Sequence, residues 1–517
     1  MYRVPDSGEK LKTLCPNNYM RKFLTRQHIA KKLSVFITTI CFLSSASAID
    51  NLPDIGNSAA MMSLEKERQL GKEFMHSVRS SLDLIEDPVS NEYIQDLGER
   101  LASQTDSQEQ KFTFFIVKDP EINAFAGPGG YIGVHTGLIL ATQSEDELAS
   151  VMAHEIAHVT QRHLMRALSA STNMTLPAMA AILAAILLGQ GNSQVTEAVI
   201  ASTVAGTTQS QLNFSRENEQ EADRVGIDML AKSGFDPIAM ANFFETLQKT
   251  HRYADGNIPE FIQTHPVTTS RIADSRGRAE RYPRVHRTPE QSINYELMKT
   301  RIFYLTQKSV SHHLQLTRTQ ISNEHNHFAK RYQYILELDP ISKYKEARQA
   351  IADLIKDDDV RVPYIVTQAN IEMTNEHWSE ACIMLKRGLL IYPSNEPMTL
   401  LYAKSLIRDN KANDAMQLLE SEIRNSTKPP ADYYRLYAEA AQKLGHTSEA
   451  FEALGEYQYR LDNLHTAIKQ FQQALKENNN NEIRELKLQA RIEEVKKQVL
   501  ETQSAKNTTN DKDNLRF

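Results

Sequence analysis

A mainly α-helical chain, with a small β element in its first half and a helical repeat domain in its second, is the fold this sequence predicts. Three observations carry the prediction. Apolar residues recur at helical spacing over residues 61–104, 145–168 and 216–249. Residues 112–135 read instead as β, and from about residue 301 a small residue returns every 34 or 35 positions. At 517 residues the chain exceeds what one hydrophobic core organises, so more than one folded unit is expected.

The N-terminus reads as a leader. A basic stretch holding Arg21, Lys22, Arg26, Lys31 and Lys32 precedes an apolar run over residues 33–43, and Ser44-Ser45-Ala46-Ser47-Ala48 supplies the small-x-small spacing of a cleavage site. Residues 1–48 are expected to be a secretory signal cleaved near Ala48, with 1–20 as a surplus extension and Met20 as an alternative start. The apolar run is far short of the roughly 20 residues of a spanning helix. Thr38-Thr39-Ile40 before Cys41 is poor for a lipoprotein signal. Once Cys15 and Cys41 leave with the leader, Cys382 stands alone: no intramolecular disulfide can form, and a small packed residue is expected there.

Within residues 61–104 the apolar stripe passes through Leu70, Phe74 and Val78, then Tyr93, Ile94, Leu97 and Leu101. Phe112-Thr113-Phe114-Phe115-Ile116-Val117 is β-rich. Asn123-Ala124-Phe125-Ala126, Gly127-Pro128-Gly129-Gly130 and Tyr131-Ile132-Gly133-Val134-His135 follow as strand, turn and strand. An edge strand can pair with an extended polypeptide, which marks Asn123, Ala124 and Phe125 as candidate substrate-strand residues; an ordinary core hairpin fits the same residues. The pattern over 216–249 breaks near Gly234. Between the helical patterns, the Ala/Ile/Leu-rich residues 176–188 are too few to span a bilayer. A buried helix or hydrophobic flap is expected there, with peripheral contact to a membrane surface or a greasy substrate left open.

In the second half Ala347, Ala381, Ala415 and Ala450 mark the period, which is that of tetratricopeptide-type helix pairs. A small residue there lets the second helix of a pair pack closely on the first. Proline ends repeats in Tyr392-Pro393 and Leu338-Asp339-Pro340. Residues 464–475 read as a further helix, and after Lys476 a charged helix and then a disordered tail from about 503 are expected. The boundaries so read are 1–48, 49–300, 301–476 and 477–517. A formal charge of −6, from 59 Lys and Arg against 65 Asp and Glu, gives no ground for a nucleic-acid partner.

His154-Glu155-Ile156-Ala157-His158 fits H-E-x-x-H. Histidines at i and i+4 share one helical face, so their imidazoles can reach a single zinc ion that keeps one position open for water. Glu155, one residue round, suits proton transfer from that water to a leaving amine. Glu145, Asp146 and Glu147 complement the helix dipole at its start. About sixty residues on, Glu219 and Asp223 again share a face. Glu219 can complete a two-histidine, one-carboxylate site, and Asp223 can orient a ligating histidine through its free ring N–H. Glu217 and Glu221 read as solvated helix surface, and His163 as a structural residue off the shared face.

Val151-Met152-Ala153 before the first histidine, Val159-Thr160-Gln161-Arg162-His163 after the second, and Asn218-Glu219-Gln220-Glu221-Ala222-Asp223-Arg224 resemble the M48 metallopeptidases. The likeness extends to Asn123-Ala124-Phe125-Ala126, Gly129-Gly130, Ser233-Gly234-Phe235-Asp236-Pro237 and Thr264-His265-Pro266, and into the repeats. It implies a zincin-like domain with one zinc held by His154, His158 and Glu219, and Glu155 and Asp223 as catalytic residues. His265 is implied as a transient fourth ligand that quiets the enzyme. The likeness is to periplasmic members, which implies cleavage of misassembled outer-membrane β-barrel proteins, a chaperone-like role in their assembly, and docking on the assembly machinery through the repeats. A repeat-based chaperone or scaffold with a latent zinc site is the rival class, against which the intact ligands and Glu155 speak.

Overall fold

The structure, a computed structural model, describes residues 63–514 apart from 106–109, 169–175, 177–178, 181–182, 185–215, 254–259, 308–309, 324–326, 339–340, 359 and 479–480. The expected leader and much of the apolar stretch 176–188 lie outside the described residues.

Helix α1 (Leu64–Ser81) starts at Ser63, whose side chain accepts from the Lys66 N–H, and carries Glu65 and Glu67 in its first turn. Helix α2 (Pro88–Ala102) has proline in its first turn and Asp87 as its cap, accepting from Ser90 N–H at 2.9 Å. Three short strands follow: β1 (Thr113–Val117), β2 (Ala124–Ala126) and β3 (Tyr131–His135), in the order β1-β3-β2. β3 pairs parallel with β1 and antiparallel with β2.

Alternation sends Phe114, Ile116, Ile132, Val134, Ala124 and Ala126 into one core, and Phe115, Val117 and Phe125 into another with Leu70, Phe74 and Val78 of α1. A sheet buried on both faces explains the near-continuous apolar run of β1. Met179, Ala180, Leu183 and Ala184, the buried residues described within the apolar stretch, join the second core.

After α3 (Thr136–Ala141) comes α4 (Glu145–Thr160), capped by Ser144. It is buried on every face over residues 146–159, which makes it the central helix of the first half. α5 (His163–Leu168) and α6 (Arg216–Lys232) follow. Gly226 lets α6 lie directly on α4: a β-carbon there would sit 3.3 Å from Ala153 C and His154 N. α6 ends where Gly234 takes φ +74° and Phe235 N–H reaches back to Leu230 O, as the sequence break predicts. α7 (Ile238–Tyr253), α8 (Glu260–Thr264) and α9 (Thr269–Ala279) complete this part.

α10 (Pro289–Thr306) and α11 (Val310–Asn323) lead into paired helices of tetratricopeptide type. The pairs are α12 (Phe328–Glu337) with α13 (Tyr344–Asp357), α14 (Val362–Thr374) with α15 (Trp378–Ile391), α16 (Glu396–Arg408) with α17 (Ala412–Asn425), and α18 (Ala431–Lys443) with α19 (Thr447–Arg460). Ala347, Ala381, Ala415 and Ala450 are each the fourth residue of the second helix in a pair, and each is buried. α20 (Leu464–Lys476) follows, and α21 runs as one helix over Glu482–Asn514, past residue 503, where disorder was expected; no Gly or Pro interrupts it. Cys382 is buried and unbridged.

The repeats and the first half share several contacts. Arg301 on α10 grips Asp87, the α2 cap, at 2.6 Å, and donates to the Tyr332 hydroxyl of α12 at 2.9 Å. Asn395, the α16 cap, donates to both carboxylate oxygens of Glu92 on α2, at 2.7 and 2.8 Å. Val89 of α2 packs with Ile365, Val366 and Met398 of the repeats. Among the described residues, no helix is long and apolar enough to cross a membrane.

Candidate metal centre

A helix buried on all sides must satisfy every polar side chain it carries. On α4 these include His154, Glu155 and His158, exposed by only 1, 1 and 2%. α6 contributes Glu219 and Asp223, also buried, and the loop after α8 contributes His265. His265 is set by its own N–H to Phe261 O at 2.7 Å and by its ring stacked on Phe261 at 4.8 Å.

The side chains converge. His154 Nε2 and His158 Nε2 are 3.0 Å apart, and lie 3.5 and 3.4 Å from the two oxygens of Glu219. His265 Nδ1 is 3.0 Å from Glu219 Oε1 and 3.4 Å from His154 Nε2. Donor atoms of these four residues all lie within 4.8 Å of one another, so the group can hold a metal ion. Two tests of fit are passed. Tetrahedral ligands about 2.0–2.1 Å from zinc stand roughly 3.3 Å apart, close to the spacings seen. Buried Glu219 and Asp223 share the guanidinium of Arg271, with buried Glu155 nearby, so this acidic set suits a divalent cation.

Glu155 lies beside this group, its Oε1 3.6 Å from His265 Nε2, and burial raises its pKa. The backbone of Ala126, at the end of β2, works against that rise. Asn123, Ala124 and Phe125 are buried at or beside the same strand. β2 is an edge of the three-stranded sheet, and its alanines face the core that includes α4. Among the described residues, both polar atoms of the Asn123 side chain lack a hydrogen-bond partner.

The electrostatics are those of a proton-sharing cluster. Burial works against charge on His154, but Asp223 and Glu219 outweigh it and push its pKa up to about 9. Burial, together with the charge on His154, holds His158 well below the usual histidine range. Glu219 is held well below the carboxylate range because His265 and the other imidazoles outweigh its burial.

Arg271 and the packing of His163 are not visible in the sequence. Arg271, on α9, donates to Asp223 at 2.8 and 2.7 Å and lies 2.8 Å from Glu219, while Asp223 lies 3.0 Å from His154 Nδ1. Nothing local to Arg271 in the sequence marks it for this task. His163 was expected to point away from the shared face. The structure turns it back onto His158, Nδ1 to Nδ1 at 2.9 Å, because α4 ends at Thr160 and Arg162 takes φ +54°. That conformation costs a residue with a β-carbon roughly 1–2 kcal/mol, and Glu67, 2.9 Å from the Arg162 guanidinium, helps hold it. Glu221, expected on the solvated surface, is half-buried and lies 3.0 Å from His163 Nε2, whereas Glu217 is exposed.

Two imidazoles and a carboxylate around one point, with a buried glutamate beside them on the H-E-x-x-H helix, define a metallopeptidase. Residues 88–279 match Peptidase family M48. The chain is 33% identical over 458 residues to the β-barrel assembly-enhancing protease of Escherichia coli (strain K12), covering 87% of this chain and 92% of that one. It is 35% identical over 377 residues to the protein of the same name from Yersinia pestis, covering 72% and 76%. A more distant likeness, 28% over 180 residues, joins it to the mitochondrial metalloendopeptidase OMA1 of Schizosaccharomyces pombe, covering 35% and 50%. The chain belongs to peptidase family M48.

Proposed function

We propose that this protein is a periplasmic zinc endopeptidase that cleaves misassembled outer-membrane proteins and assists the assembly of others. The observation that carries the reading is the buried group of His154, His158, Glu219 and His265 beside Glu155, with donor spacings that fit zinc. The names of relatives aligned over most of their length, β-barrel assembly-enhancing proteases, support proteolysis linked to β-barrel assembly; the periplasm and removal of the leader near Ala48 rest on the reading of residues 1–48.

In this reading His154, His158 and Glu219 hold one zinc per chain, in a metallopeptidase domain over residues 49–300. Zinc, when bound, supplies Lewis-acid polarisation of water and of the scissile carbonyl. Glu155 takes the proton of the attacking water and hands it to the amine as the C–N bond breaks. Asp223 holds His154 in the tautomer whose Nε2 is free of hydrogen, and Arg271 holds Asp223. An extended substrate adds to β2 along residues 123–125, so backbone hydrogen bonds carry much of the binding. His265 occupies the fourth donor position at rest and yields it to substrate. The repeats, over residues 301–476, dock on the assembly machinery, as extended helical arrays suit partner binding.

The test is metal analysis of the purified mature protein together with casein cleavage, with and without chelator. About one zinc per chain and chelator-sensitive cleavage are expected. Cleavage that persists in the metal-free protein would sink the reading.

A further inference from the structure

We propose that His163 is a positioning residue for His158, the middle member of a hydrogen-bonded chain His158–His163–Glu221–Arg166 that fixes which ring nitrogen of His158 faces the metal. The inference rests on the reading of His158 as a metal ligand. His163 is fully buried, with Nδ1 2.9 Å from His158 Nδ1 and Nε2 3.0 Å from Glu221 Oε2; Arg166 in turn lies 3.1 Å from that same oxygen.

The tautomers follow from the ends of the chain. His158 directs Nε2 toward His154 and Glu219, so a ligating His158 keeps that nitrogen bare and carries its hydrogen on Nδ1. Nδ1–H then donates to His163 Nδ1. His163 carries its own hydrogen on Nε2 and donates it to Glu221, the carboxylate that Arg166 anchors. Each ring nitrogen of His158 and His163 is thereby given a role. A residue that only filled space would present carbon to His158, whereas His163 presents nitrogen at hydrogen-bond distance to both neighbours.

His154 is backed more directly: its Nδ1 lies 3.0 Å from Asp223, which Arg271 grips. The extra imidazole matters because it puts a neutral acceptor, rather than a carboxylate, against His158. Each ligand is thus oriented from its Nδ1 side, but only His154 has a negative charge directly behind it. The left-handed turn at Arg162 makes the chain possible, since a continued α4 would carry His163 away from His158.

The test uses the mature full-length chain as wild type, His163→Ala, His163→Asn and Glu221→Ala. Zinc affinity is read by competition with a chromophoric chelator, and helical content by circular dichroism. His163→Ala and Glu221→Ala are expected to weaken zinc binding by about 10–100-fold. His163→Asn, whose carboxamide oxygen can accept from His158 Nδ1–H, should recover most of the loss. Zinc binding by His163→Ala within twofold of wild type overturns the inference, as does an Asn variant as weak as Ala. Should His163→Ala fail to fold, Glu221→Ala decides, because Glu221 lies only half-buried on α6; unchanged affinity there overturns the proposal. Failure of the metallopeptidase reading shows separately, as a wild type that holds no stoichiometric zinc.

Discussion

His265 places its Nδ1 3.0 Å from Glu219 Oε1, although the two residues come from different elements and are 46 positions apart in sequence. The imidazole is thereby the fourth member of the group that can hold a metal ion, and in the proposed function it gives way there to substrate. His265→Ala is expected to raise basal casein cleavage, compared at equal zinc occupancy. A drop of about 10²–10³-fold would instead make it a donor to the developing oxyanion, and an unchanged rate would make it a loop residue.

Glu155→Gln should keep zinc and lose proteolysis by about 10²–10⁴-fold, because the amide preserves shape but cannot accept a proton. Zinc content and casein cleavage measured on one preparation check both halves of the expectation. Wild-type turnover by the variant would remove Glu155 from the chemistry.

Arg271→Ala leaves Glu219 and Asp223 buried without their cation, and breaking a buried pair in this way costs roughly 3–5 kcal/mol. Denaturant unfolding of the metal-free protein should show that loss. Lysine should recover only part of it, since one ammonium cannot make the forked contact seen with Asp223. A loss below about 1 kcal/mol would contradict the assigned role.

Glu92 predicts a pH dependence away from the metal. Burial raises its pKa from the usual 4.5 to about 7, partly offset by Asn395. At low pH both folded and unfolded states are protonated. As pH rises from about 4.5 to about 7 the unfolded chain releases its proton and the folded chain keeps it, so stability falls, and the penalty is complete above about 7. Glu92→Gln should flatten this slope and gain about 1–3 kcal/mol at pH 8. Parallel pH profiles of wild type and variant would expose the error if the slope survived.

Much of this architecture was legible because it depends on local patterns. The i, i+4 pairs on α4 and α6 declare a shared face, and the alanine period falls on the fourth residue of the second helix in each pair. Gly234 marks its helix end because α6 closes with a left-handed turn. What stayed hidden depends on backbone direction and distant charge. His163 looked misdirected because five residues of continuous helix were assumed where α4 in fact stops. Arg271 carries no local sign of its task, and neither does the long reach of Asn395 to Glu92.

α10 belongs to both halves of the chain at once. Its Arg301 neutralises the cap of α2 on one side and binds the Tyr332 hydroxyl on the other, while Asp87, held below the carboxylate range by that guanidinium despite its burial, stays charged. A force applied to the repeats by a bound partner therefore reaches α2 through this buried ion pair, the Asn395–Glu92 contact and the packing of Val89 rather than through a slack tether. Heating should melt both halves in a single transition. Asp87→Asn, by weakening that coupling, should lower the midpoint while the Asn395–Glu92 and Val89 contacts keep the transition single.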